Sequence, residues 1–141
     1  MKLNPLVIVA TAVIIAGCDR ASEEAVTTDM DASAKVTGTL VYRERIIPKP
    51  GTVAEVWLLD ISRADAPARE LAHRIIEDPG PPPIAFTLEY DPADVDGRMS
   101  YGVRAVLRRG ERLIFTSDTN YPVLTRGAGN SVEVMLVAAP Q

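Results

Sequence analysis

From Val36 onward apolar and polar residues alternate with a period of two in short runs broken by Pro, Gly and Asp clusters, and no window keeps an apolar 3.6-residue period for three turns. Such a chain reads as all-β. Strands are expected near Val36–Arg45, Val53–Asp60, Glu70–Ile76, Ile84–Tyr90, Ser100–Leu107, Glu111–Thr119 and Ser131–Ala138. Seven strands in about 100 residues predict a two-sheet antiparallel β-sandwich. The clearest alternation sets Ile84, Phe86, Leu88 and Tyr90 against Ala85, Thr87 and Glu89, and then Tyr101, Val103, Ala105 and Leu107 against Gly102, Arg104 and Val106. Both apolar sets should face the core.

The connections carry their own signals. Pro79-Gly80-Pro81-Pro82-Pro83 cannot donate a ladder of hydrogen bonds and must be a loop or extended rim. Asp91-Pro92-Ala93-Asp94 offers a side-chain cap followed by Pro at the first helical position, which predicts one helical turn. A similar turn is expected within Ser62–Pro67. Around Gly110, a three-residue loop of Arg108, Arg109 and Gly110 would pair Ala105 with Leu113 and Val103 with Phe115. That register makes Phe115 a core residue and turns Ile114 outward beside Arg104, whereas a two-residue turn at Arg109-Gly110 would bring Arg112 to the apolar face.

The N-terminus follows different rules. Met1 and Lys2 precede a mostly apolar run from Leu3 to Ile15, and Ile15-Ala16-Gly17-Cys18 ends it with small residues before a thiol. That order is a secretory signal peptide. A spanning helix needs about 20 apolar residues, and here Asp19, Arg20, Glu23 and Glu24 cut the run short. Ile15 to Cys18 resembles the lipobox of bacterial lipoproteins, which implies removal of residues 1–17 and acylation of Cys18. Acyl chains on Cys18 would hold the protein at a Gram-negative envelope membrane with its domain in the periplasm, since two or more chains make anchoring stable. Asp19 resembles the signal for inner-membrane retention and leaves the outer membrane open. From Asp19 to Lys35 there are five acids, two bases and no aromatic residue, too little to bury, so residues 18–35 are expected to be a lipidated, disordered acidic tether and 36–141 the β domain.

Composition narrows the chemistry. The net charge of −4 supplies no basic stripe for a phosphate backbone, so nucleic acid is set aside as a partner. One Cys and one His rule out a disulfide scaffold, a Cys-rich zinc site and an iron–sulfur cluster within one chain. No nucleophile motif surrounds any Ser, and His73 falls within an expected strand, so it is read as a sheet-face residue and the chain as a non-enzyme without cofactor. Asp94-Val95-Asp96-Gly97 has the opening of a calcium loop, but the position for the bidentate Glu holds Ala105, and an Asp-Gly turn is the better reading. Arg43, Arg45, Arg104 and Arg108 suit solvated or cross-strand-paired positions on a sheet. Asp118, Tyr121 and Arg126 combine an anion, a phenol and a guanidinium that would either pin a loop or contact a partner.

Five runs together resemble the YbaY family of bacterial lipoproteins: Tyr42-Arg43-Glu44-Arg45-Ile46, Leu59 to Ala68, Phe86 to Pro92, Tyr101 to Ala105, and Phe115 to Gly127. The likeness covers nearly all of residues 36 to 137. That family is grouped with YscW, a lipoprotein chaperone or pilot for the ring-forming secretin of type III secretion. The resemblance implies a lipid-anchored β-sandwich, and for some relatives a chaperone role. Two functions are therefore weighed. One is an interaction protein for an envelope client, secretin-like, bound at a sheet edge or in a groove. The other is an envelope glycan or small-molecule binder, which would need an aromatic-lined concavity that seven aromatics leave little material to build.

Overall fold

The computed structural model describes residues 33–140. It contains β1 (Ala34–Tyr42), β2 (Thr52–Asp60), β3 (Arg69–Glu77), β4 (Ile84–Tyr90), β5 (Tyr101–Arg109), β6 (Arg112–Thr116), β7 (Tyr121–Val123) and β8 (Ser131–Ala138). The strands form one path in the order β3-β2-β5-β6-β8-β1-β4, with β7 paired to β5 beyond β6. All ladders are antiparallel except β1 with β8, which run parallel. The expected pair of stacked sheets is thus replaced by a single curled sheet. Its two halves are joined where β6 meets β8 through Phe115↔Ala138 and Thr116↔Val137. Its end strands β3 and β4 lie close together without a ladder, so the barrel is nearly closed.

Alternation fills the interior. In β4, Ile84, Phe86 and Leu88 are buried between exposed neighbours, and in β5 Tyr101, Val103, Ala105 and Leu107 are all buried. Leu40, Leu58, Leu136, Val36, Val56 and Val134 complete the core from β1, β2 and β8. Each such side chain contributes about 1.5–3 kcal/mol by leaving water.

The hairpin at Gly110 departs from expectation. The loop is Gly110-Glu111, with Gly110 at φ +58°, and Arg109 faces Arg112 while Arg108 faces Leu113. Continued unchanged, that register would turn Phe115 outward. Instead Ile114 is an extra residue on β6, and beyond it Leu107 faces Phe115. The bulge restores parity, so Phe115 is buried although the expected partners were wrong. A second interruption follows. Ser117 accepts from the Ala105 amide through Oγ at 3.1 Å, residues 118–120 leave the sheet, and β7 rejoins β5 at Tyr121. The run expected over Glu111–Thr119 therefore ends at Thr116, and Tyr121–Val123 is a short strand that the sequence reading did not include.

The loops hold both ends. At Pro92–Asp94 the expected turn is a short 3-10 helix, and Asp91 Oδ1 accepts from the Ala93 amide at 2.8 Å. Ser62–Pro67 forms only a non-helical turn. At the far end, the Gly51 amide donates to Asp78 Oδ1 at 2.6 Å and the Asp78 amide donates to the Thr52 carbonyl at 2.9 Å. The first residue of β1 thus sits at the opposite end of the barrel from the 43–51 loop.

Candidate functional site

The barrel end that carries the 43–51 loop has an apolar recess. It begins with Tyr42, the last residue of β1, whose ring stacks on Phe115 with centroids 4.5 Å apart and planes 16° from parallel. Such a pair adds about 0.5–1.5 kcal/mol beyond its buried area. Tyr42 Oη donates to the Ile46 carbonyl at 3.0 Å, which fixes the outgoing loop. Where the chain returns, the Thr52 hydroxyl and amide both donate to the Lys49 carbonyl, at 2.6 and 3.1 Å. Held at both ends, the loop keeps Ile46 49% and Ile47 72% exposed. Between it and the β5–β6 hairpin lies a cavity of about 220 Å³, floored by Tyr42, Leu107, Ile114 and Phe115 and walled by Ile46, Ile47 and Pro48. Lys49, Arg109 and Arg112 stand on its margin.

Burial pushes the Tyr42 phenol above its ordinary value, and the Glu44 carboxylate adds to the shift. The neutral form is therefore favoured on folding and keeps its donor for Ile46. A phenol whose value is raised in the folded state stabilises fully below the unfolded value of about 10, and that contribution is lost as pH rises through the higher folded value. Tyr42→Phe should remove this contribution and flatten the alkaline loss of stability, measured by urea denaturation on either side of pH 10; equal alkaline losses in both proteins would contradict it.

The residues singled out in the sequence lie elsewhere. Tyr121 Oη donates to the Met135 carbonyl at 2.9 Å and accepts from its amide at 3.0 Å, tying β7 to β8. Arg126, at φ +56°, donates through Nε to Ser100 Oγ at 2.8 Å and through a terminal nitrogen to the Arg98 carbonyl at 3.2 Å. Asp118 is exposed in the connection between β6 and β7. The three do not converge on one site. His73 stacks on Trp57, centroids 5.0 Å apart, with Nε2 3.4 Å from Glu55 Oε2, while the other oxygen of that carboxylate, Oε1, pairs with Arg108. Arg104, opposite Trp57 on β5, is exposed, as are Arg43 and Arg45. In the Asp-Gly turn, Asp94 pairs with Arg69, and Arg98 hydrogen-bonds Asp96 and holds its carboxyl down to about 2. Cys18 lies outside the described residues.

The recess itself was missed by sequence reasoning. Its signal was present, because Ile46-Ile47 interrupts the alternation as an apolar pair between Arg45 and Pro48.

An all-β barrel with a preformed apolar recess at one end has the form of a binding module. The chain belongs to the type III secretion system lipoprotein chaperone (YscW) family, whose sequence pattern matches residues 31–136. It is 34% identical over 107 residues to the uncharacterized lipoprotein YbaY of Escherichia coli strain K12, covering 75% of this chain and 56% of that protein. The chain thus spans little more than half the length of that curated relative. It is also similar to the structure of an alternative pilotin from the type II secretion system of Vibrio cholerae, with a TM-score of 0.74 and 33% identity over 77% of this chain and 99% of that one.

Proposed function

We propose that this protein is a non-enzymatic, lipid-anchored chaperone of the Gram-negative envelope that captures a segment of a secretin-like client in its end recess. The observation that supports this best is the likeness to a pilotin over 99% of that protein's chain, at an identity well above chance similarity of fold. In this reading residues 1–17 are a signal peptide, Cys18 carries the acyl chains, residues 19–35 are the tether and the barrel works in the periplasm. Asp19 next to the lipidated position is compatible with the inner membrane and leaves the outer membrane open.

Two measurements test it. Cys18→Ser should move the protein from the membrane pellet to the soluble fraction after a salt wash, because acylation supplies the anchor; a variant that still pellets like the parent contradicts lipid attachment there. Crosslinking from intact membranes should recover a stoichiometric protein client with the parent. Retention on peptidoglycan or polysaccharide without a client would instead make the protein a glycan binder and overturn the chaperone reading.

A further inference from the structure

We propose that the end recess takes an apolar peptide segment that carries carboxylates, its apolar side chains packing beside Ile46 and Ile47 and its acids meeting Lys49 and Arg109. The proposal deepens the client-binding reading and rests on it.

Charge gives the first reason. The whole chain has a net charge of −4, yet the 43–50 loop and the 109–112 turn together carry Arg43, Arg45, Lys49, Arg109 and Arg112 against only Glu44 and Glu111. Three arginines outside these segments are taken up by acids, Arg69 by Asp94, Arg98 by Asp96 and Arg108 by Glu55, while Arg104 is exposed and Arg126 bonds Ser100 and a backbone carbonyl. Lys49 and Arg109 have no such acid among the described residues. The rim therefore has the opposite sign to the protein as a whole, and complementary charge selects partners and speeds their encounter.

Size and stiffness give the second. At about 220 Å³ the cavity is smaller than the roughly 300–1,000 Å³ of a small-molecule site, and it suits one or two side chains of a longer ligand that continues over the exposed isoleucines. Because Tyr42 and Thr52 already fix the loop, little ordering cost falls on binding.

Position gives the third. β1 runs from Ala34 at the tether end to Tyr42 at the recess, nine residues that span about 30 Å. The N-terminal segment therefore joins the barrel at the end opposite the recess and leaves the recess clear of the point of attachment.

Selection of a random dodecapeptide display library on the full-length protein tests the proposal. The expected winners combine Leu, Ile or Phe with Asp or Glu, acids exceeding bases by about tenfold. Lys49→Glu/Arg109→Glu should reverse that preference, and Ile46→Ser/Ile47→Ser should abolish selection; all four changes lie at exposed positions, and thermal melts would verify the fold. Apolar winners with no charge preference, or a preference unchanged by the double reversal, would overturn the acidic partner and leave client binding in the recess standing. Winners that bind the isoleucine variant as well as the parent would overturn the recess as the client site. If the Cys18→Ser protein bound phosphatidylglycerol vesicles, or dimerised in sedimentation, and Ile47→Ser abolished either behaviour, the occupant would be a bilayer or a second copy and the proposal would be overturned.

Discussion

Gly38→Ala is expected to destabilise the barrel by about 3 kcal/mol, at the top of the usual range for overpacking. Gly38 lies in β1 opposite Phe86 of β4 on one side and Val132 of β8 on the other. A Cβ built there would stand 2.1 Å from the Val132 carbonyl oxygen and 2.6 Å from the Phe86 ring. The ring could turn, but the carbonyl is backbone and can retreat only if β8 moves away from β1. That pairing is the parallel contact between the first and last strands, and the interior depends on it for Leu40, Val134 and Leu136. Val at the same site should prevent folding. Gly97→Ala is the control, because nothing lies within 4 Å of its Cβ position, and it should change stability by no more than about 0.5 kcal/mol. Urea denaturation compares them; a Gly38→Ala midpoint close to the parent's would mean that β1 and β8 do not approach as closely as described.

Gly38 also shows what the sequence left unreadable. As a letter it is a weak point in a strand; only the strands on either side reveal that its missing side chain is the space another strand occupies. The apolar face of β4 and the inward set of β5 were legible, because a period of two is local and survives any later arrangement. Closure was not. Two stacked sheets and a curled barrel bury the same alternating faces, and the choice depends on β1 meeting β8 in parallel, between segments about 100 residues apart in the chain. Bulges were hidden for a related reason, since one extra residue reverses parity without changing composition. Around Gly110 the expected pairing failed because the loop is Gly110-Glu111, and the bulge at Ile114 then returned Phe115 to the core face.

The candidate residues divide in the same way. Asp118, Tyr121 and Arg126 are close in sequence, but the chain turns between them, so Tyr121 bonds Met135 while Arg126 bonds Ser100. Tyr42, Ile46, Leu107 and Phe115 come from widely spaced segments, and the hairpin bulge brings them to one recess. Short motifs indicate chemistry well where the chemistry is local. A docking recess built from two loops has no such motif.

Phe115→Ala should cost about 3–5 kcal/mol, the range for truncating a buried aromatic residue, while Ile114→Thr should cost far less. The contrast follows from the bulge. Phe115 faces Leu107, is only 2% exposed and stacks on Tyr42, so truncation opens a void between the core and the recess. Ile114 is the inserted residue, half-buried in the recess floor, and its principal tie is its carbonyl, which accepts from the Ala139 amide at 2.9 Å and is untouched by a side-chain change. Denaturation of both variants decides the order. A second measurement separates core from recess, because Phe115→Ala also frees the Tyr42 ring and should change the near-ultraviolet dichroism of the tyrosines in the fraction that remains folded. If Ile114→Thr proved the more damaging, the inserted residue would be Phe115 and not Ile114, the pairing of Leu107 would be wrong, and the recess would lose the aromatic floor on which its binding role depends.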